Sequence, residues 1–386
     1  MSIKIRWVTW WPVPYWTDRF DVLADREDVD LEVFFLTERS AVLPTSVQDQ
    51  HWKFRVNFLA SGADGSGYYQ RVIRLRNPIP LIRGNFDALI MTYADPMCIA
   101  AAAACRALGK PFYFFCANTD DDARSANPAL EWFKRCLIPM ASGVLATGPA
   151  QHQYIRRYTQ SRVPVCEIGN PVKRLGADRY LAKRDELRSS MGFQSGRPVV
   201  LFVGRLSPEK GLRTLIEAAA LCKGGGLDAK LVFVGSGPEE ELLRVHAQRA
   251  GVDAEFHGFL EGDSLAERYA AADIFVLPSL SEPWGLVVNE AMEFALPLLL
   301  SDRVGCRAVL LQEGSNGFAF SAGDATALAG RMESLLARPE ALRDMGKSSR
   351  RIVERCSIDR WAEAVVRAVS PGNVGGCRKD AAGSVE

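Results

Sequence analysis

Histidine is scarce in this chain, with 4 in 386 residues. The cysteines number 9 and are scattered, no two forming a Cys-x-x-Cys pair. Neither a structural zinc site nor a disulfide framework is expected, and a reducing compartment is the default. An excess of either charge is missing too: 47 basic against 46 acidic residues leave a formal net charge of +1. Nucleic-acid binding gets no support from that balance. Apolar runs are short. The most apolar helix candidate, Met97–Leu108, is interrupted by Arg106 and falls well below the ~20 residues a bilayer span needs. The opening Met1–Trp16 meets Pro12 and Pro14 at once and does not read as a secretory signal. A cytoplasmic location is expected, with membrane association left open as a peripheral contact with the inner surface. Finally, no G-x-G-x-x-G follows the first predicted strand, which disfavours an NAD enzyme.

Hydrophobic residues make up 48% and charged residues 24%, the balance of a soluble globular protein. The length exceeds one ordinary core, so two domains are expected. Lys4–Trp10, Leu31–Leu36, Phe54–Leu59, Phe86–Met91, Pro111–Cys116 and Gly143–Ala146 read as strands. Helical stretches, among them Thr17–Ala24, Tyr68–Arg76 and Leu130–Met140, lie between them. Short buried strands alternating with helices predict a parallel α/β sheet. The turn Gly169-Asn170-Pro171 breaks the pattern, and charged Lys173–Gly196 reads as a linker. The alternation restarts at Val199–Val203. The expected layout is an N-terminal domain over 1–170, completed by a helix near 352–369, and a C-terminal domain over 171–351. Residues 371–386, Gly-rich and charged, are expected to be disordered.

The chemistry-bearing residues cluster after the strands of the second half. Ser281–Met292 reads SEPWGLVVNEAM, following the buried run Ile274-Phe275-Val276-Leu277. Glu282 should lie in a strand-to-helix loop and Glu290 in the second turn of the helix. Gly285 lets backbone approach a ligand, and free N–H groups at the helix start suit an anion. A carboxylate beside an anion site is better used to accept hydrogen bonds from sugar or ribose hydroxyls. The pair alone also fits an ordinary exposed loop and helix. Gly204-Arg205 through Lys210-Gly211 follows the strand Val199–Val203. There Arg205 can fork onto phosphate oxygens and Lys210 adds a point charge, although both also fit common loop charges. Gly235-Ser236-Gly237-Pro238 permits a tight turn and reads first as structure. In Phe256-His257-Gly258-Phe259, Gly258 leaves room for a flat ring, Phe259 offers backbone groups to a base edge, and His257 reads as a satisfied strand-end histidine.

Taken in order, strand–GRxxxxKG, strand–GxGP, strand–FxG and strand–ExxxGxxxxE resemble the retaining GT-B glycosyltransferases of family 4, the "glycosyl transferases group 1". The resemblance is strong over Pro198–Leu336 and only architectural before it. It implies two Rossmann-like α/β/α domains facing across a cleft, the first on the acceptor side and the second binding a nucleotide-sugar donor. It implies Glu282, Arg205 and Lys210 as catalytic. Gly204, Gly258, Phe259, Gly285, Leu286 and Glu290 join these three in donor binding, Glu290 taking the ribose hydroxyls. No cofactor or metal is implied, since fixed cations can stabilise the leaving diphosphate. The implied activity is sugar transfer, with retention, to a glycan, a lipid-linked sugar or a small molecule, in polysaccharide or glycoconjugate synthesis.

Two departures stand out. Relatives often carry Gly-Gly after the first strand, whereas Thr9–Trp16 here holds no glycine. Its Trp11 and Tyr15 either line an acceptor pocket or form a packed aromatic corner. Where relatives often place a histidine, this chain reads Ala117-Asn118-Thr119-Asp120, making Asn118 and Asp120 candidate sugar contacts. Arg71, Arg74, Arg76 and Arg83 fit a solvated helix face or an acceptor or membrane surface. The alternatives are a sugar-nucleotide 2-epimerase on the same scaffold, or a non-catalytic nucleotide-sugar-binding relative. The few histidines count against the first, and the intact basic and acidic pairs against the second.

Overall fold

The computed structural model describes residues 2–37, 51–59, 77–120, 127–159 and 162–370. The expected helix Tyr68–Arg76, with Arg71, Arg74 and Arg76, and the tail 371–386 lie outside them. The chain divides into two units: Met1–Lys173 with Ser357–Glu386, and Arg174–Cys356.

The first unit holds strands β1 (Ile3–Thr9), β2 (Val29–Phe35), β3 (Arg55–Phe58), β4 (Ala88–Met91), β5 (Phe112–Cys116), β6 (Gly143–Ala146) and β7 (Val165–Glu167). They form one parallel sheet in the order β3-β2-β1-β4-β5-β6-β7. Parallel strands buried on both faces read as continuous apolar runs, and β4, β5 and β6 are buried at every position. Helix starts carry their own signals. Asp95 accepts from the Cys98 N–H at 2.7 Å, Asn127 caps the helix Pro128–Leu137, and Pro follows each cap. Trp7 on β1 packs against Trp16, Phe20, Phe115 and Trp361, with ring centroids 5.2 to 5.9 Å away. Trp361 belongs to the helix Ile358–Val369, whose apolar stripe closes this unit.

The second unit holds β8 (Val199–Val203), β9 (Lys230–Val234), β10 (Ala254–Phe256), β11 (Ile274–Leu277), β12 (Leu298–Ser301) and β13 (Gly317–Phe320). Its parallel sheet runs β10-β9-β8-β11-β12-β13.

Lys173–Gly196 is not the loose linker that its charge suggests. Residues from Arg174 onward belong to the second unit. Arg184 donates to the carbonyls of Ala270 and Ala272 and to Asp273, at 2.5 to 2.6 Å. Arg188 donates to the Ala271 carbonyl at 2.7 Å. These arginines satisfy the carbonyl end of the helix Gly262–Ala271, where cations are favoured. The unit boundaries therefore fall at 173/174 and 356/357, a few residues beyond those expected. The closing segment is two helices in different units, Pro339–Val353 and Ile358–Val369. Cys98, Cys105, Cys116, Cys136, Cys222, Cys306 and Cys356 are free thiols. Cys166 is disulfide-bonded, a departure from the expected thiol chemistry. Among the described residues no helix is long and apolar enough to cross a membrane.

Candidate active site

β8 and β11 are neighbours, Val200 opposite Ile274 and Leu201 opposite Phe275. Their chain continuations leave in opposite directions, β8 towards β9 and β11 towards β12. A crevice opens beyond the carboxyl ends of two such strands. Two loops stand there, Gly204–Gly211 after β8 and Pro278–Gly285 after β11.

Backbone bonds tie the loops together. The Glu209 carbonyl accepts from the N–H groups of Leu280 at 2.8 Å and Ser281 at 3.2 Å. Gly211 has φ +62°, and a Cβ there would stand 2.4 Å from the Pro278 carbonyl oxygen. Only glycine allows the helix Leu212–Gly224 to start so close to the end of β11. This contact delivers Lys210, on a short turn, to Glu282. Lys210 Nζ donates to Glu282 Oε2 at 2.5 Å, with side chains 18% and 12% exposed. Glu209 bonds Ser207 Oγ at 2.6 Å. Burial pushes its carboxyl up, but the Ser207 bond and nearby Lys210 and Arg205 bring the net shift down.

The Glu282 loop is pinned on its other side. Gly305 N–H donates to the Glu282 carbonyl at 2.8 Å and Cys306 N–H to that of Trp284 at 3.1 Å. Trp284 is buried, with its Nε1 3.4 Å from Asn289 Oδ1. Gly285, at φ +95°, caps the helix Leu286–Glu293, and no side chain caps that helix start. The first-turn N–H groups are the kind of donors an anion can take. The Arg205 side chain is exposed and makes no hydrogen bond or ion pair among the described residues, while its carbonyl accepts from the Ser207 N–H at 3.1 Å.

One turn on, Glu290 is partly buried and accepts from the Tyr269 hydroxyl at 2.7 Å. Burial raises its carboxyl to about 7, the Tyr269 bond works against that rise, and Glu293 adds to it. Glu293 is buried and accepts from the N–H groups of Leu175, Gly176 and Ala177 at 2.8, 2.8 and 3.2 Å.

The glycines of Gly235-Ser236-Gly237 serve packing. A Cβ on Gly235 would lie 1.9 Å from the Gly204 carbonyl oxygen, and one on Gly237 2.2 Å from that of Leu206. The two loops bond through Leu206 N–H to Ser236 O at 3.1 Å. Gly258, at φ +66°, has open space on its side-chain face, and Phe259 is 52% exposed. His257 is held by Glu255 at 3.1 Å, with its pKa lowered by burial and by Arg268.

In the first unit, Trp10 packs on Tyr93 at 4.7 Å and Trp11 on Trp10 at 6.1 Å. Tyr15 lies 5.9 Å from Trp16 and stays 39% exposed. The glycine-free loop is thus a packed aromatic corner with Tyr15 showing. Asp120 pairs with Arg157 at 2.9 Å, and the Asn118 carbonyl accepts from Cys116 Sγ at 3.8 Å.

The geometry therefore brings Lys210 to Glu282 and sets Gly285, Leu286 and Glu290 on the following helix. Trp11, Tyr15, Asn118 and Asp120 belong to the other unit. Tyr269 and Glu293 went unseen in the sequence. Glu293 carries a faint signal, three residues after Glu290 on the same helix, whereas Tyr269 sits in an alanine-rich stretch with none.

Two parallel α/β sheets of this order, one with basic and acidic loops at its switch point, define the GT-B fold. It is shared with sucrose-phosphate synthase from Thermosynechococcus elongatus, at TM-score 0.72, 20% identity and coverage of 92% of this chain and 94% of that one. Anabaena HepE in complex with UDP matches at TM-score 0.74 and 17% identity, covering 96% and 99%. Residues 183–352 match the family model of the glycosyl transferases group 1. Sulfoquinovosyl transferase of Arabidopsis thaliana is 34% identical over 180 residues, 46% of this chain and 34% of that protein. Alpha-D-kanosaminyltransferase of Streptomyces kanamyceticus is 29% identical over 235 residues, 58% and 59% of the two chains. The chain thus spans about a third to three fifths of the length of these two curated relatives.

Proposed function

We propose that this protein is a retaining glycosyltransferase that moves a sugar from a nucleoside-diphosphate sugar to a glycan, lipid-linked or small-molecule acceptor. The observation that carries the reading is the Lys210–Glu282 pair beside the helix start at Gly285, which no side chain caps, with Glu290 one turn further on. Cleavage of the donor builds negative charge on the outer phosphate. Arg205, Lys210 and the first-turn N–H groups of Leu286–Glu293 are set to stabilise it, each donor contributing about 3–4 kcal/mol if it acts like an oxyanion-hole group. Glu282 turns from Lys210 to the hydroxyls of the transferred sugar, and Glu290 takes the ribose. Gly258 and Phe259 receive the base, and Gly204 lets the loop approach the phosphates. The acceptor hydroxyl attacks from the face the diphosphate leaves, and a phosphate oxygen takes its proton. The scheme needs neither a protein nucleophile nor a metal.

The names of similar proteins support the class. A sulfoquinovosyl transferase and a kanosaminyltransferase are glycosyltransferases by name, and HepE has been crystallised with UDP-glucose. We assign acceptor contacts to the first unit, with Tyr15 the exposed aromatic of its Thr9–Trp16 loop. A panel of nucleotide sugars screened for thermal stabilisation of the purified protein tests the reading. A rise of several degrees with one donor is expected. No shift with any of them, or a shift with NAD alone, discards it.

A further inference from the structure

Tyr269 lies outside every motif, yet its hydroxyl is the side chain that meets Glu290. The ring is fully buried on the helix Gly262–Ala271. Phe294 stacks on it at 5.4 Å, and Phe275 stands 6.3 Å away. Such a ring neither swings nor reaches a ligand. Phenylalanine would fill the space without bringing a hydroxyl that must be satisfied. The hydroxyl lies 2.7 Å from Glu290 Oε2 and 3.4 Å from the Val287 carbonyl, so the carboxylate is its real partner. Glu290 Oε1 receives no hydrogen bond among the described residues.

We propose that Tyr269 is a positioning residue for donor recognition: it holds one oxygen of Glu290 so that the other is presented, ionised, to the ribose hydroxyls of a nucleoside diphosphate. The inference rests on the reading given under Proposed function. A hydrogen bond donated to a carboxylate favours its charged form. Burial works the other way here, and so does Glu293 on the same helix. Arg350, on the helix Pro339–Val353, feels Glu293 but spends its hydrogen bond on Asp178. Tyr269 is therefore the group that opposes the rise of this carboxyl, and a neutral carboxyl is a poorer acceptor for two hydroxyls.

The test is titration calorimetry with UDP, GDP and ADP and their 2′-deoxy counterparts on wild type, Tyr269→Phe and Glu290→Gln. Wild type should prefer the ribonucleotide by about 10-fold, the scale of one charge-assisted hydrogen bond. Tyr269→Phe should shrink that preference to about 3-fold or less at pH 7 and regain most of it at pH 8.5. Glu290→Gln should lack the preference at both pH values. A tyrosine that only packs would lower the melting temperature and leave the preference untouched at either pH. That result overturns the inference while the donor reading stands. A wild type that binds a nucleotide with no ribose preference overturns the assignment of Glu290, and Tyr269 with it. If none of the three diphosphates binds, the functional reading fails first.

Discussion

Lys210 Nζ stands 2.5 Å from Glu282 Oε2, although 72 positions separate the two residues. The pair closes because β8 and β11 are neighbours and because Gly211 lets one loop sit on the other's backbone. Each charge neutralises the other, and on the proposed function a diphosphate would compete for Lys210 and free Glu282 for a neutral sugar hydroxyl.

Breaking that pair should be costly on both counts. Lys210→Ala leaves a partly buried carboxylate alone, and should lose about 1–3 kcal/mol of stability in urea melts. The double variant with Glu282→Gln should lose clearly less than the sum of the single variants. Additive losses would show that the two side chains are not coupled.

Arg205→Ala should behave differently. The side chain is exposed and pairs with nothing among the described residues, so stability should change by less than about 0.5 kcal/mol. Transfer activity should fall about 10²- to 10³-fold. Full activity in the purified variant removes Arg205 from the site.

Glu290 gives a pH dependence of defined sign. Its carboxyl is raised to about 7 in the folded chain from the ordinary 4.5. Between those values the folded state holds the proton and the unfolded state releases it. Its contribution to stability is therefore full below about pH 4.5 and is lost as pH rises through 7. Glu290→Gln should melt close to wild type at pH 5 and above it at pH 8, while losing donor binding. A variant less stable than wild type at pH 8 contradicts this.

Gly235→Ala tests the packing role of the second motif. Its Cβ would lie 1.9 Å from the Gly204 carbonyl oxygen, at a φ of +128° that side chains avoid. A loss of about 2–4 kcal/mol is expected in denaturant unfolding. A wild-type midpoint would mean the loops do not press together.

If charge stabilisation falls to Arg205, Lys210 and the helix start alone, dialysis against EDTA should leave at least about half of the transfer activity. Complete loss restored by a divalent cation would put a metal on the diphosphate.

Much of the fold is legible in the sequence. The apolar runs announced nearly every strand, because a strand buried on both faces has no polar residues to interrupt it. Glu282, Gly285 and Glu290 share one short stretch, so their order along a loop and helix follows from local chemistry. The charged segment after Lys173 misled for a clear reason. Arg184 and Arg188 look solvated by composition, yet they satisfy helix-end carbonyls at Ala270, Ala271 and Ala272. The tryptophan loop left two readings open, and which rings it packs against depends on Tyr93 and Trp16.

Local pattern settled the alternation of strands and helices, the glycines at the turns and the acidic and basic residues placed just past strand ends. Strand order did not follow from it, since any buried apolar strand pairs acceptably with any other. Only the folded sheet placed β8 beside β11, and so Lys210 against Glu282. Only the packed interior set the hydroxyl of Tyr269 on Glu290, because a contact between two helices depends on how their faces meet in space.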